Sequence, residues 1–205
     1  KIIKMIDYGD YFTINRPRQY GKTTTIALLE KRLKEKYSLI SISFEKLGEE
    51  SFENIEVFSK VLINNINMEI KKQQSDKLNI IEEKEASTFD ELNSIMSNFI
   101  EKSEKKVVLI IDEIDKSSNY TLFINFLGML RSKYLEAAKG ADTAFHSVIL
   151  AGVHDIKNLK MKMRGTEEIS YNSPWNIAID FEIDMSFSAS EIEVMLIDYE
   201  KDNNT

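Results

Sequence analysis

The sequence predicts an α/β protein, a three-layer α-β-α sandwich around a parallel sheet. Three observations carry that expectation. Val107 to Ile111 is an unbroken apolar run, and Ser147 to Ala151 is a second one led by a serine. Runs of this kind mark strands buried on both faces, which requires helices above and below a parallel sheet. Segments with helical periodicity separate the strand-like runs, giving the order β-α-β-α-α-β-α-β-α-β-α, and repeated βα units imply right-handed crossovers. With 205 residues the chain is long enough to bury such a core without staples.

The elements follow in order. Tyr11 to Ile14 reads as a short strand, followed by a loop carrying Pro17. Gly21 to Lys36 reads as a helix: Ile26, Leu29 and Leu33 share a face, and Glu30 precedes Lys34 at i,i+4. Leu39 to Phe44 sets Leu39, Ser41 and Ser43 on one side against Ile40, Ile42 and Phe44 on the other, the alternation of a strand. Phe52, Ile55, Phe58, Leu62 and Ile66 mark a long amphipathic helix. Residues 71–87, rich in Lys, Gln and Glu, read as a solvated loop or frayed helix end. Thr88 and Glu91 form a capping box that opens a helix with Phe89, Leu92, Ile95, Met96 and Phe99 on one side. Tyr120 to Lys139 is a helix ended near Gly140. A short helix is expected over Asp155–Met163 and a strand over Ile177–Met185. Ser188 and Glu191 form a second capping box ahead of a last helix. Pro174 and Trp175 are expected to anchor a loop on the sheet, Glu45 to face solvent, and Met161, Met163 and Met185 to fill core space.

Composition narrows the function. The chain has no cysteine, which excludes disulfide frameworks, zinc fingers, iron–sulfur sites and a cysteine nucleophile. No apolar run approaches the ~18 residues that span a bilayer, and no signal segment opens the chain. A cytoplasmic location is the resulting expectation. The net charge of −7, from 27 Lys+Arg against 34 Asp+Glu, argues against bulk nucleic-acid binding. The chain opens on Lys1 rather than Met and is expected to be a piece of a longer protein.

Two clusters carry chemistry. Gly21-Lys22-Thr23 lies between the first strand and the first long helix. There, consecutive backbone N–H groups and the helix dipole face an anion. Lysine reaches the outer phosphates, and the threonine hydroxyl suits Mg²⁺. The full motif wants a glycine where this chain has Arg16; the competing reading is an ordinary strand-to-helix turn. Pro17 removes an N–H only early in the loop. The second cluster is Asp112-Glu113, directly after the buried run. An acid there costs folding energy unless it is paired or metal-bound. Asp112 suits the shell of Mg²⁺, and Glu113 can orient and deprotonate a water. The competing reading is two acids that open a loop.

Asn15-Arg-Pro-Arg-Gln-Tyr-Gly-Lys-Thr-Thr24 and Val107-Val-Leu-Ile-Ile-Asp-Glu-Ile-Asp115 resemble the Walker A and Walker B motifs of AAA-type ATPases. More narrowly, they resemble the bacterial AAA-like domain ATPases, related to the signal-transduction ATPases with numerous domains, where an Arg-Pro-Arg-x-x-Gly-Lys-Thr form recurs. His146-Ser-Val-Ile-Leu-Ala-Gly152 and Ser173-Pro-Trp-Asn176 share the likeness, which runs from Tyr11 to about Glu200. The resemblance implies a five-stranded sheet ordered 5-1-4-3-2, with a P-loop ATPase core over 1–187. It implies that residues 188–205 begin a helical lid that is mostly absent. It implies ATP and Mg²⁺ as ligands, with nucleotide contacts from Arg18, Gln19, Tyr20, Gly21, Lys22, Thr23 and Thr24, metal contacts from Thr23 and Asp112, and Glu113 and Lys22 as catalytic groups. A polar sensor is expected after the fourth strand, with His154 preferred over Asp155. Arg131 and Arg164 are the candidates for a transition-state arginine. Partners are a homo-oligomer or a fused C-terminal domain, with nucleic acid left open and no membrane. Two rival functions stand beside ATP hydrolysis: a nucleotide-dependent switch or scaffold with negligible turnover, and a DNA-acting ATPase joined to a nuclease-like domain. The chain shows no Asn-Lys-x-Asp base-reading motif of the GTPases and no complete Asp…(Asp/Glu)-x-Lys nuclease set.

Overall fold

Four parallel strands form the centre of the molecule, a computed structural model that describes residues 1–17, 20–45, 47–73, 80–117, 121–153, 160–161, 169–170, 174–179 and 189–203. Helix α1 (Ile2–Tyr8) leads through Gly9, whose φ of 81° closes the helix, into β1 (Tyr11–Asn15). Then come α2 (Lys22–Leu33), β2 (Ser38–Ser43), α3 (Ile55–Lys72) and α4 (Phe89–Glu101). Next are β3 (Val107–Asp112), α5 (Thr121–Ala138) and β4 (Ser147–Gly152). The strands lie in the order β1-β4-β3-β2, every pair parallel. This crossover order sets β1 beside β4 and brings the C-terminal ends of β1, β4 and β3 side by side.

The pleat assigns each side chain to a layer. Phe12, Ile14, Leu39, Val108, Ile110, Ile149 and Ala151 point to one face, where they pack with α1 and with Ile26, Leu29 and Leu33 of α2. Tyr11, Ile40, Ile42, Leu109, Ile111, Val148 and Leu150 point to the other, under α3, α4 and α5. All residues of β3 and β4 are buried, as their apolar runs require. Two side chains cap the helices of this second layer. Asn54 accepts from Val57 N–H at 2.9 Å, and Thr88 accepts from Glu91 N–H at 3.1 Å. Each such cap contributes about 1 kcal/mol. The Glu91 carboxylate reaches back to Ser87 N–H at 2.7 Å, one residue outside the predicted capping box.

Several expectations change. Among the described residues the sheet has four strands; the expected fifth is not shown there. Of the predicted strand over Ile177–Met185, Ile177 instead ends the 3-10 turn Pro174–Ile177. Ile179 makes one parallel bridge to Phe12, and residues 180–185 lie outside the described set. The predicted helix over Asp155–Met163 is strand where it is described: β5 (Lys160–Met161) pairs antiparallel with β6 (Ile169–Ser170). Residues 80–87 are the irregular, largely exposed segment that composition predicts, but it is pinned at two points. Ile81 and Ala86 are buried, Asn67 bonds both the N–H and the C=O of Ile81, and Ser59 does the same for Ala86. Composition missed this because two apolar anchors and two polar side chains on α3 suffice to fasten a charged segment. Trp175 is fully buried and stacks on Tyr11 at 5.8 Å, anchoring its loop as expected, while Glu45 is exposed. The last helix is α6 (Ala189–Asn203); it exposes Ile192, Val194, Leu196 and Tyr199, and Ser188 of its predicted capping box lies outside the described residues.

Candidate functional site

The C-terminal edge of the sheet gathers the candidate residues. After β1 the chain turns from Asn15 to Gly21 and enters α2 at Lys22. Gly21 caps that helix with φ 68°, and a Cβ there would meet nothing within 4 Å. The backbone angle, not crowding, therefore selects glycine. Lys22 is only 5% exposed, and its Nζ donates to the carbonyls of Arg16 at 3.0 Å and Pro17 at 3.2 Å. The lysine thus rests against its own loop, on acceptors that an anion's oxygens can replace. Arg16, which stands in the place of the motif's first glycine, ties the loop down: its N–H donates to Gly152 C=O at 3.0 Å.

The second half of the site is the end of β3. Thr23 Oγ1 donates to Asp112 Oδ2 at 3.2 Å across 89 residues of sequence, and Glu113 N–H donates to Asp112 Oδ1 at 2.8 Å. Asp112 is 7% exposed. Both of its oxygens have donors, so this carboxylate at the end of an apolar strand is paired. Glu113 is the one non-glycine residue with positive φ among those described, at φ 55° and ψ 44°. A left-handed conformation outside glycine costs about 1 kcal/mol or more and persists where the surroundings enforce it. The turn carries the half-buried Glu113 side chain just past the strand end.

The donors present are a hydroxyl and a carboxylate side by side, both hard oxygen groups. Mg²⁺ prefers such a set, since it is held by one or two protein oxygens together with phosphate oxygens and water. Thr23 and Asp112, paired at 3.2 Å, fit the ion that the resemblance implies. A cleft of about 310 Å³ opens beside this pair, between α2, the β2 edge and α3, with Glu30, Ser41, Ser43 and Asn65 in its walls.

The structure brings together Gly21, Lys22, Thr23, Asp112 and Glu113; Thr24 follows on the exposed first turn of α2, and Tyr20 precedes it at 49% exposure. Arg18, Gln19, His154, Asp155 and Arg164 lie outside the described residues. Arg131 Nε donates to Asn176 Oδ1 at 3.0 Å, an internal tie between α5 and the Pro174–Ile177 turn. Sequence reading gave no role to Asp115. Its carboxylate accepts from Val153 N–H through both oxygens, each at 2.8 Å. The available signal was an acid three residues past Asp112, together with a glycine closing the second buried run.

A family model described as an AAA-like domain matches residues 2–204. No curated protein matches the chain.

Proposed function

We propose that this chain, which belongs to the AAA-like domain family, binds ATP with Mg²⁺ and hydrolyses it. The observation that carries this reading is the Thr23–Asp112 hydrogen bond at 3.2 Å. It sets a hydroxyl at a helix N-terminus against a carboxylate at a strand end, next to a lysine that donates to two loop carbonyls. That is a set of groups for a polyphosphate and its cation, and a bare strand-to-helix turn has no need of it.

In this reading the amides of the Arg18–Thr24 loop and Lys22 hold the phosphates. Thr23 and Asp112 hold the Mg²⁺, which neutralises phosphate charge when bound. Glu113 orients a water and accepts its proton as the water oxygen bonds to the terminal phosphorus and the bond to the ADP oxygen breaks. His154 is retained as the sensor after β4. The core covers 1–187, and α6 begins a lid over 188–205. No described helix is long and apolar enough to cross a membrane, and a cytoplasmic location remains part of the proposal. Nucleic acid is disfavoured by the net charge of −7.

The test is ATP titration by calorimetry together with turnover of wild type and Glu113→Gln. The amide keeps shape and can still hold a water but accepts no proton. Binding should persist while turnover falls about 10²–10⁴-fold, the range of general-base catalysis. Equal turnover in the two proteins moves the base elsewhere. Binding with no wild-type turnover selects the nucleotide-dependent switch.

A further inference from the structure

We infer that Asp115 is a positioning residue that, through the single peptide joining Gly152 to Val153, links the Arg16–Thr23 loop to the turn bearing Glu113; this rests on the ATPase reading above. The carbonyl of that peptide accepts from Arg16 N–H at 3.0 Å, at the root of the phosphate loop. Its N–H donates to Asp115 Oδ1 and Oδ2, each at 2.8 Å. One planar unit, with C=O and N–H pointing oppositely, therefore carries a continuous hydrogen-bonded path between the two halves of the site. A charged acceptor makes the Asp115 bond stronger than a neutral one.

The packing shows why this peptide has no slack. A Cβ on Gly152 would lie 2.9 Å from Ile114 Cγ1 and 3.1 Å from Asp115 Oδ1. The β4 backbone thus lies flat against the 3-10 turn Ile114–Lys116, which Glu113 caps. Ile114 is fully buried, and Ser117 closes the turn by donating to Ile114 C=O at 2.7 Å. Glu113 cannot relax out of its left-handed conformation without shifting Ile114 and Asp115, and both are fixed by β4. A displacement of the phosphate loop pulls on the same peptide from its other end. Loop occupancy and the placement of Glu113 are in this way held in one register.

The experiment compares wild type, Asp115→Ala, Asp115→Asn and Gly152→Ala. It records ATP affinity by calorimetry, turnover at saturating ATP, and amide hydrogen exchange at Val153 without nucleotide. Misplacing a catalytic group by about 1 Å costs up to ~10²-fold. Asp115→Ala and Gly152→Ala should therefore lose about 10- to 100-fold in turnover, with affinity changed less than ~3-fold. Asp115→Asn keeps one acceptor oxygen and should recover most of the loss. Val153 exchange should accelerate in Asp115→Ala but not in Asp115→Asn. Unchanged turnover in Asp115→Ala, parallel loss of affinity and turnover, or an asparagine as damaging as alanine overturns the inference. If the wild type neither binds nor hydrolyses ATP, the ATPase reading fails by itself. The Val153 exchange then decides the clasp, and equal exchange in wild type and Asp115→Ala removes it.

Discussion

Two buried lysines in this molecule have opposite surroundings. Lys133 on α5 is 1% exposed and fully compensated. Its Nζ bonds to Asp142 Oδ2 at 2.8 Å, to Ser97 Oγ and to the carbonyl of Asn93, joining α4, α5 and the approach to β4. Asp142 is satisfied in turn by Ser97 at 2.8 Å and by Thr143 N–H at 2.7 Å. Lys22 is nearly as buried, yet among the described residues no carboxylate pairs with it. Its two acceptors are carbonyls of a loop six and five residues behind it. A buried charge closed off by its own counter-ion holds structure together. A buried charge resting on exchangeable neutral acceptors is free to take an anion.

The largest expected effect breaks the first member of the pair. Lys133→Ala leaves Asp142 and Ser97 without their cation and should cost about 3–5 kcal/mol of stability by denaturant melts. A loss under 1 kcal/mol would make the cluster decorative and end the contrast. Lys22→Ala should do the reverse. Stability should move by about 1 kcal/mol or less, because the lost carbonyl bonds are offset by removing a desolvated charge. ATP affinity should drop at least ~100-fold, the scale of losing a buried charged contact. Unchanged affinity in calorimetry overturns the phosphate-loop assignment.

Glu113→Gly sharpens the comparison at the site itself. Releasing the left-handed strain should gain about 1 kcal/mol, part of it returned as unfolded-chain entropy, while turnover is lost. A less stable variant would show that the turn is not strained. The smallest effect is acidic. Burial pulls the Asp142 carboxyl upward, but hydrogen bonds from Lys133, Ser97 and Thr143 N–H outweigh it and hold the pKa below its ordinary 3.8. A group lowered on folding contributes its full stability above the unfolded value and loses it as pH falls through the folded one. Wild type should therefore lose its advantage over Asp142→Asn only below about pH 3.8. A constant difference across that range contradicts the pairing.

Much of this was legible in the residues. The unbroken Val107–Ile111 run announced a doubly covered strand, and the parallel β3 between β2 and β4 is that strand. Gly21-Lys22-Thr23 and Asp112-Glu113 were singled out from local context, and they meet at 3.2 Å through Thr23 and Asp112. Other features left no local trace. The segment around Ile81 looked solvated by composition, because the groups that fix it, Asn67 and Ser59, lie on another helix. The Asp155–Met163 helix expectation failed where residues 160–161 are described, since a two-residue antiparallel pairing is too short to leave a period.

The sequence by itself determined the layer order and the residues of the turn that leads from β1 into α2. Hydrophobic period and glycine placement act over a few residues and are written along the chain. Tertiary structure alone decided that Asp112 is shared between Thr23 and Glu113 N–H, that Glu113 sits in a left-handed turn, and that Lys133 is neutralised by Asp142. It also decided that the Gly152–Val153 peptide spans both halves of the site. The Thr23–Asp112 and Arg16–Gly152 contacts depend on the β1-β4-β3-β2 crossover order, which brings strand ends far apart in the chain within hydrogen-bond reach. Hydrogen bonds act over about 3 Å, and no local pattern encodes which distant groups the folded sheet will set that close.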